Sequence, residues 1–286
     1  MRRKLILGGG GVVAAALVAV WLAGSVLTAP ARSVVGDPPA EIGGRGVAFQ
    51  SESGATLRGW LLPGERGAGA IILMHGIRGS RAQMLSRARF LRAAGYGVLL
   101  FDFQAHGESA GEQITAGYLE SRDARAAVGF ARASFPGERI GVLGVSMGGA
   151  AVLLASPPAD AEALVLEMVY PTVEQAIDNR LTMRLGGWAG VLSPLLTAQL
   201  KLRLGVGADD LRPVERVGRI AAPKLFIAGA EDRHTTLAES KSLFDAAAAP
   251  KEFWAVAGAR HEDLHALRPR EYEQRVLAFF ARHLKR

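Results

Sequence analysis

Short apolar runs recur along most of the chain, and stretches with helical patterning separate most of them. The runs are Ala70 to Met74, Val98 to Phe101, Ile140 to Val145, Ala163 to Met168, Lys224 to Ala228 and Glu252 to Val256. A short apolar run without polar alternation suits a strand buried on both faces. Strand and helix in alternation imply an α/β fold, with a parallel sheet covered by helices on both faces and joined by right-handed crossovers. Ahead of these runs, Gly46 to Ser51 and Thr56 to Leu62 alternate apolar with polar residues and flank Glu52-Ser53-Gly54-Ala55, the pattern of an antiparallel hairpin.

Two stretches break this rhythm. Between Met168 and Pro223 lie about fifty residues, too many for a plain loop in a compact domain. The spacing predicts a helical cap over about 170–218. Within it Leu181, Leu185, Trp188, Leu192, Leu195, Leu196 and Leu200 recur near helical spacing, which packs the cap on the domain below or lines a groove for an apolar substrate. The other stretch is N-terminal. From Leu5 to Ala31 no residue is ionisable, and Arg2, Arg3 and Lys4 precede it, which predicts a transmembrane signal anchor over residues 1–31. Charge on that side keeps the N-terminus in the cytoplasm and places the rest of the chain outside the membrane. Ala29-Pro30-Ala31 offers a mediocre cleavage site, so the alternative is a secreted or periplasmic product. Residues 32–45, holding Pro and Gly, read as a linker to a domain over 46–286.

Composition removes several function classes. With 49% hydrophobic and 21% charged residues the chain is ordinary globular protein, not disordered. The net charge is +7, but Arg2, Arg3 and Lys4 carry three of those charges, and the other arginines stand singly rather than in a basic run. Nucleic acid is therefore not an expected partner. Cysteine is absent, which excludes disulfides, thiolate metal sites and a cysteine nucleophile.

The candidate chemistry lies where predicted strands end. Gly144-Val145-Ser146-Met147-Gly148 follows one strand and precedes the small-residue run Ala150 to Ala155. A serine on such a strand-turn-helix elbow is exposed at the sheet edge beside a helix N-terminus. His75-Gly76-Ile77-Arg78-Gly79 turns at the same edge, so the backbone amides of Ile77 and Met147 are the expected oxyanion donors. Asp232 ends another strand 86 residues after Ser146, and His261 follows 29 residues later. A serine hydroxyl needs a histidine to take its proton, and that histidine needs a carboxylate to fix its tautomer. Asp102 and Glu167 are reserve acids, and His234 and His265 weaker alternatives to His261. Asp102 and His106, in the turn Asp102 to Ser109, are expected to hold that loop.

These motifs together resemble the α/β-hydrolase superfamily, in particular its monoacyl-lipase, carboxylesterase and S33 serine-peptidase-like members, over about residues 45–286. The resemblance implies a mostly parallel eight-stranded sheet, no cofactor, and hydrolysis of an ester, thioester or amide of a small-molecule or lipid-like acyl substrate through an acyl-enzyme. It carries the roles of nucleophile, acid and base to Ser146, Asp232 and His261. Gln104-Ala105 departs from the Arg-Gly frequent in the loop motif, which leaves the loop's contacts open. Two other readings compete. His261-Glu262-Asp263-Leu264-His265 matches the H-E-x-x-H zinc-protease pattern, although Gly258 before it and Pro269 after it are poor company for a long helix. A non-catalytic binding module on the same fold is the other.

Overall fold

The eight predicted strands form a single sheet in the structure, a computed structural model that describes residues 18–286. They are β1 (Arg45–Gln50), β2 (Thr56–Leu62), β3 (Ala70–Met74), β4 (Gly97–Phe101), β5 (Ile140–Val145), β6 (Ala163–Glu167), β7 (Lys224–Gly229) and β8 (Lys251–Val256). Their order across the sheet is β8-β7-β6-β5-β3-β4-β2-β1. Every pair from β8 to β4 is parallel, and β2 runs antiparallel to both of its neighbours.

The unbroken apolar runs have a direct cause. Residues Ile71 and Leu73 point to one face and Ala70, Ile72 and Met74 to the other, and all five are buried. One face is covered by α2 (Tyr118–Ser134), α3 (Met147–Leu154) and α6 (Leu237–Ala246), the other by α1 (Leu85–Ala93) and α7 (Pro269–Leu284). Helix α7 shows how patterning sets the packing. Tyr272, Val276, Phe279, Phe280 and Leu284 fall on one stripe and are all buried. Each such side chain contributes about 1.5–3 kcal/mol by leaving water.

The stretch expected as a cap is built from α4 (Val173–Leu185), a 3-10 segment (Gly187–Leu192), α5 (Ser193–Leu204) and short turns up to Arg219. Its leucines do not share one face, however. Gly186, at φ +89°, ends α4, and the 3-10 segment reorients the chain before α5 begins.

The N-terminal part differs from expectation. Of the anchor predicted over 1–31, residues 1–17 lie outside the described residues, and residues 18–28 are helical. That helix rests on the cap. Arg203 of α5 donates to Ser25 Oγ at 2.9 Å and to the Trp21 carbonyl, its guanidinium stacks 3.8 Å from the Trp21 ring, and Gln199 donates to the Val20 carbonyl at 3.1 Å. Among the described residues no helix is long and apolar enough to cross a membrane.

Residues 32–45, expected as a linker, are docked on the domain. Ala31–Arg32 pair with His106–Gly107, Glu108 accepts from the amides of Val35 and Gly36 at 3.0 and 2.9 Å, and Arg81 donates to the Gly36 carbonyl at 3.0 Å. Arg81 and the two amides hold the Glu108 carboxyl down to about 2. The side chains that fasten the segment lie far from it in sequence, so local composition gave no sign of them.

A buried ion pair ties α1 to the sheet edge. Arg87 donates to Glu167 from Nε at 3.1 Å and Nη2 at 2.9 Å, and the Tyr272 hydroxyl also reaches Glu167. Removing one partner strands the other charge in the interior. Arg87→Met is expected to cost about 3–5 kcal/mol in chemical denaturation, with much of that loss recovered in Arg87→Met combined with Glu167→Leu. Equal stability of Arg87→Met and the native chain would contradict this.

Candidate active site

Strands β3, β4, β5, β6, β7 and β8 all end at one edge, and the chemistry-bearing residues gather there. Ser146 follows β5 and stands at the N-cap of α3 with φ +50° and ψ −115°, a region that L-residues rarely adopt. Its neighbours show why the turn needs glycine. A Cβ on Gly144 would lie 2.6 Å from the Gly149 amide nitrogen, and one on Gly148 would lie 2.5 Å from the Met74 carbonyl oxygen and 2.7 Å from that of His75. The elbow is thus packed backbone to backbone against the end of β3. The Ser146 amide donates to the Glu167 carbonyl at 2.8 Å, which fixes the turn to β6.

That close packing brings the second amide into place. Met147 opens α3, so its N–H has no acceptor within the helix. Ile77 follows Gly76, whose Cβ position would be 3.7 Å from Ser146 Cβ. Among the described residues neither amide donates to another protein group. His75 sets the turn between them. Its Nε2 accepts from the Phe103 amide at 3.1 Å, so its proton sits on Nδ1 and is donated to the Gly76 carbonyl at 2.7 Å. Burial, with His106 close by, holds the His75 imidazole down to about 3, so the ring stays neutral and this tautomer persists. Pinning the Gly76 carbonyl orients the peptide that carries the Ile77 amide.

Asp232 and His261 arrive on two adjoining turns. Glu231 donates its amide to the Ala259 carbonyl at 2.8 Å, and a Cβ on Gly229 would fall 2.7 Å from the carbonyl oxygens of Ala259 and Arg260. The turn after β7 is therefore fastened to the turn after β8. Across this junction His261 Nδ1 lies 2.7 Å from Asp232 Oδ2. The other oxygen, Oδ1, accepts from the amides of His234 at 2.7 Å and Thr235 at 3.0 Å. Three hydrogen-bond partners thus converge on one buried carboxylate. With Nδ1 engaged as donor, Nε2 is the free nitrogen of His261, and His261 lines the same cavity as Ser146. No direct hydrogen bond joins Ser146 Oγ to His261 Nε2.

The reserve candidates have other partners. Asp102 is bound by the Arg81 amide and guanidinium and by the Glu108 amide at 3.0 Å, and Glu167 is engaged by Arg87 and Tyr272. His106 is buried with Nδ1 at 2.8 Å from the Gln104 carbonyl, which keeps it in the loop as expected. The unusual Gln104-Ala105 pair is accommodated: Gln104 donates to Glu120 at 2.8 Å, while Ala105 takes φ +57°, the left-handed region that glycine enters at no cost. His234 reaches Asp232 through its backbone, and its ring lies 5.0 Å from that of His261. His265 is engaged elsewhere, with Nε2 2.9 Å from Glu273. His261 precedes the single-turn helix Leu264–Leu267 that carries His265, so the two histidines do not share the helix face that zinc binding by this motif requires. Among the described residues no group of three His, Asp or Glu side chains is placed to hold a metal ion.

The cavity in front of Ser146 has a volume of about 700 Å³. Its apolar wall comes from Val173 and Ile177 of α4, Leu196, Leu200 and Leu204 of α5, and Leu27 of the N-terminal helix. Of the leucines expected to line a groove, Leu196 and Leu200 do so, whereas Leu185, Trp188 and Leu195 are 47%, 63% and 42% exposed on the outer side of the cap. The break at Gly186 explains the difference. Sequence reasoning missed Leu27 and Gly24 as wall residues because they belong to the predicted anchor. It also missed Arg180 and Arg184, whose spacing from Val173 and Ile177 on α4 was the available signal.

The chain is similar to known proteins in sequence and in fold. The model of a family described as serine aminopeptidase, S33, matches residues 65–210. The uncharacterized protein Rv2307c of Mycobacterium tuberculosis is 31% identical over 227 residues, covering 77% of this chain and 73% of that protein. The α/β-hydrolase domain-containing protein WAV2 of Arabidopsis thaliana is 29% identical over 217 residues, 70% of this chain and 66% of that protein. Among solved structures, the Pyrococcus furiosus esterase Pf2001 superposes with a TM-score of 0.75 at 24% identity, over 90% of this chain and 98% of that one, which is likeness of fold.

The junction of the two turns has a spectroscopic consequence. The His261 Nδ1 proton, shared with a buried carboxylate, is expected as a slowly exchanging downfield imidazole resonance in the proton NMR spectrum, and Asp232→Asn should abolish it. Survival of that resonance in the folded variant would mean that Asp232 is not its partner.

Proposed function

The chain belongs to the α/β-hydrolase family described as serine aminopeptidase, S33, and from that premise we propose that it is a serine hydrolase cleaving a carboxylic ester through an acyl-enzyme. The observation that carries this reading is the placement of Ser146, strained at its elbow, in one cavity with His261, whose other ring nitrogen is 2.7 Å from Asp232. In the proposed reaction His261 Nε2 takes the Ser146 hydroxyl proton as Oγ attacks the ester carbonyl. The oxyanion is held by the amides of Ile77 and Met147, donors of a kind worth about 3–4 kcal/mol each in the transition state. The tetrahedral intermediate collapses, the alcohol leaves with the proton from His261, and water attacks the acyl-Ser146 ester by the same route. Asp232 keeps the proton of neutral His261 on Nδ1 and stabilises the imidazolium.

The cavity favours an ester over the free N-terminus of a peptide. An α-ammonium needs carboxylates, yet Arg180 and Arg184 line the cavity, and of its acidic residues Asp263 is 3.0 Å from Arg87 while Glu262 accepts from the Arg260 amide at 2.9 Å. The apolar wall suits an acyl chain. We place the enzyme at the outer face of the cytoplasmic membrane, tethered by its N-terminus. The uncharged run from Leu5, preceded by Arg2, Arg3 and Lys4, supports this, as do Trp21, Leu22 and Val26, which remain 46%, 57% and 66% exposed on the N-terminal helix.

Ser146→Ala is expected to abolish both fluorophosphonate labelling and ester turnover while leaving the fold intact, and labelling that persisted would remove Ser146 from the mechanism. With p-nitrophenyl esters, kcat/KM should rise from acetyl to about octanoyl, since each buried methylene contributes up to about 0.8 kcal/mol. A flat or falling profile would show that the wall does not bind the chain. Protease added to intact spheroplasts should digest the domain while sparing cytoplasmic controls, and protection would reverse the topology.

A further inference from the structure

Helix α4 lays two different surfaces along the cavity. Val173, Ile177, Arg180 and Arg184 stand at positions i, i+4, i+7 and i+11, one face of the helix, and all four line the cavity that holds Ser146 and His261. The first half of that face is apolar and the second cationic. Elsewhere in the domain, guanidinium groups taken out of water are matched with carboxylates. Arg81 is paired with Asp102 and Glu108, and Arg87 with Glu167 and Asp263. Arg180 and Arg184 are different. The Arg180 side chain is half-buried, and among the described residues its one hydrogen bond runs to the Ala176 carbonyl of its own helix, at 2.8 Å. Neither arginine forms an ion pair among the described residues.

The local forces do not account for this pair. Two cations four residues apart repel by about 0.2–0.5 kcal/mol on a helix surface. The helix C-terminus offsets that for Arg184 in the last turn, but Arg180 is a turn further in. Burial and the neighbouring Arg184 pull the Arg180 guanidinium below its ordinary value, although Tyr170, Asp232 and Glu239 act the other way. Two further arginines on the cavity, Arg203 and Arg78, are bonded to neutral oxygens, Arg203 to Gln199 Oε1 at 2.8 Å and Arg78 to the Val26 carbonyl at 3.1 Å. Five arginines line the cavity against two acids, Glu262 and Asp263, and an anion entering from solvent would offset that excess.

We propose that Arg180 and Arg184 form an anion subsite beside the acyl wall, so that the substrate is an amphiphilic ester carrying a carboxylate or phosphate group. Planar guanidinium groups suit either oxyanion by paired hydrogen bonds. The anion belongs either to the far end of the acyl chain, as a carboxylate, or to the alcohol, as a phosphate. This deepens the serine-hydrolase reading and rests on it for the position of the scissile bond.

Two matched pairs of substrates separate the sources. The first is p-nitrophenyl octanoate against the p-nitrophenyl half-ester of octanedioic acid, the second 1-octanoylglycerol against 1-octanoylglycerol 3-phosphate. In one pair kcat/KM should favour the anionic member by about tenfold or more. Arg180→Met with Arg184→Met should erase that preference, and the double lysine variant should retain part of it. Arg212→Met, which alters a cap arginine paired with Glu215 outside the cavity, should leave the ratio unchanged. If the double methionine variant does not fold, Arg184→Gln alone, at an exposed position, should still lower the ratio. Preference for the neutral member in both pairs, or an unchanged ratio in the folded variants, overturns the proposal. Calorimetric binding of 1-octanoylglycerol 3-phosphate and 1-octanoylglycerol to Ser146→Ala reads the subsite without turnover. Tighter binding of the phosphate that is lost on removing Arg180 and Arg184 sustains the subsite even if Ser146 is not the nucleophile, and equal binding of the two refutes the phosphate arm.

Discussion

No side chain fits between the turn at Ser146 and the end of β3. A Cβ on Gly148 would lie 2.5 Å from the Met74 carbonyl oxygen, and a Cβ on Gly144 would collide with the first turn of α3. This backbone contact is the constraint on which the rest of the site depends. It forces Ser146 into a positive φ, lifts its side chain over the sheet edge, and sets the Met147 amide beside the turn that carries Ile77. A larger residue on either side would move the Met147 and Ile77 amides apart.

The carboxyl ends of the parallel strands serve as a common edge, and short-range polar contacts fix each turn to its neighbour. The β5 turn is bonded to β6 through Ser146 and Glu167, the β7 turn to the β8 turn through Glu231 and Ala259, and the β3 turn is fixed by the neutral ring of His75. The side chains of Ser146, Asp232 and His261 therefore sit on a rigid frame although each belongs to a turn. The buried charges have a separate duty. Asp102 and Glu167 have partners that fasten α1 and the N-terminal segment, and Asp232 is the carboxylate whose second oxygen faces an imidazole.

Much of this was legible in the residues because the physics is local. An unbroken apolar run reports a strand buried on both faces, so all eight strands were found close to their observed bounds, and residues that directly end a strand necessarily reach the same edge. That reasoning put Ser146, Ile77, Met147, Asp232 and His261 at one sheet edge, and there the structure has them. Where contacts span long separations it failed. Residues 32–45 looked like a linker because nothing in them advertises Arg81 or Glu108, tens of residues away. The cap leucines looked like one stripe because Gly186 was not recognised as a helix end, and Arg180 and Arg184 were overlooked beside them. Leu27 was assigned to a membrane anchor, yet it forms part of the cavity wall.

The cap and the N-terminal helix enclose the site together. Gln199 and Arg203 of α5 bind the carbonyls of Val20 and Trp21, and Leu27 continues the apolar wall begun by Leu196 and Leu200. A change in how that helix sits must therefore alter the apolar wall of the cavity. The central claim is that Ser146 carries the acyl group between two half-reactions, and mass spectrometry tests it most directly. Protein quenched in acid during turnover of a slowly deacylated ester should gain the mass of one acyl group, located by peptide mapping on Ser146. An unmodified protein caught in steady turnover, or an acyl group on another residue, would contradict the account.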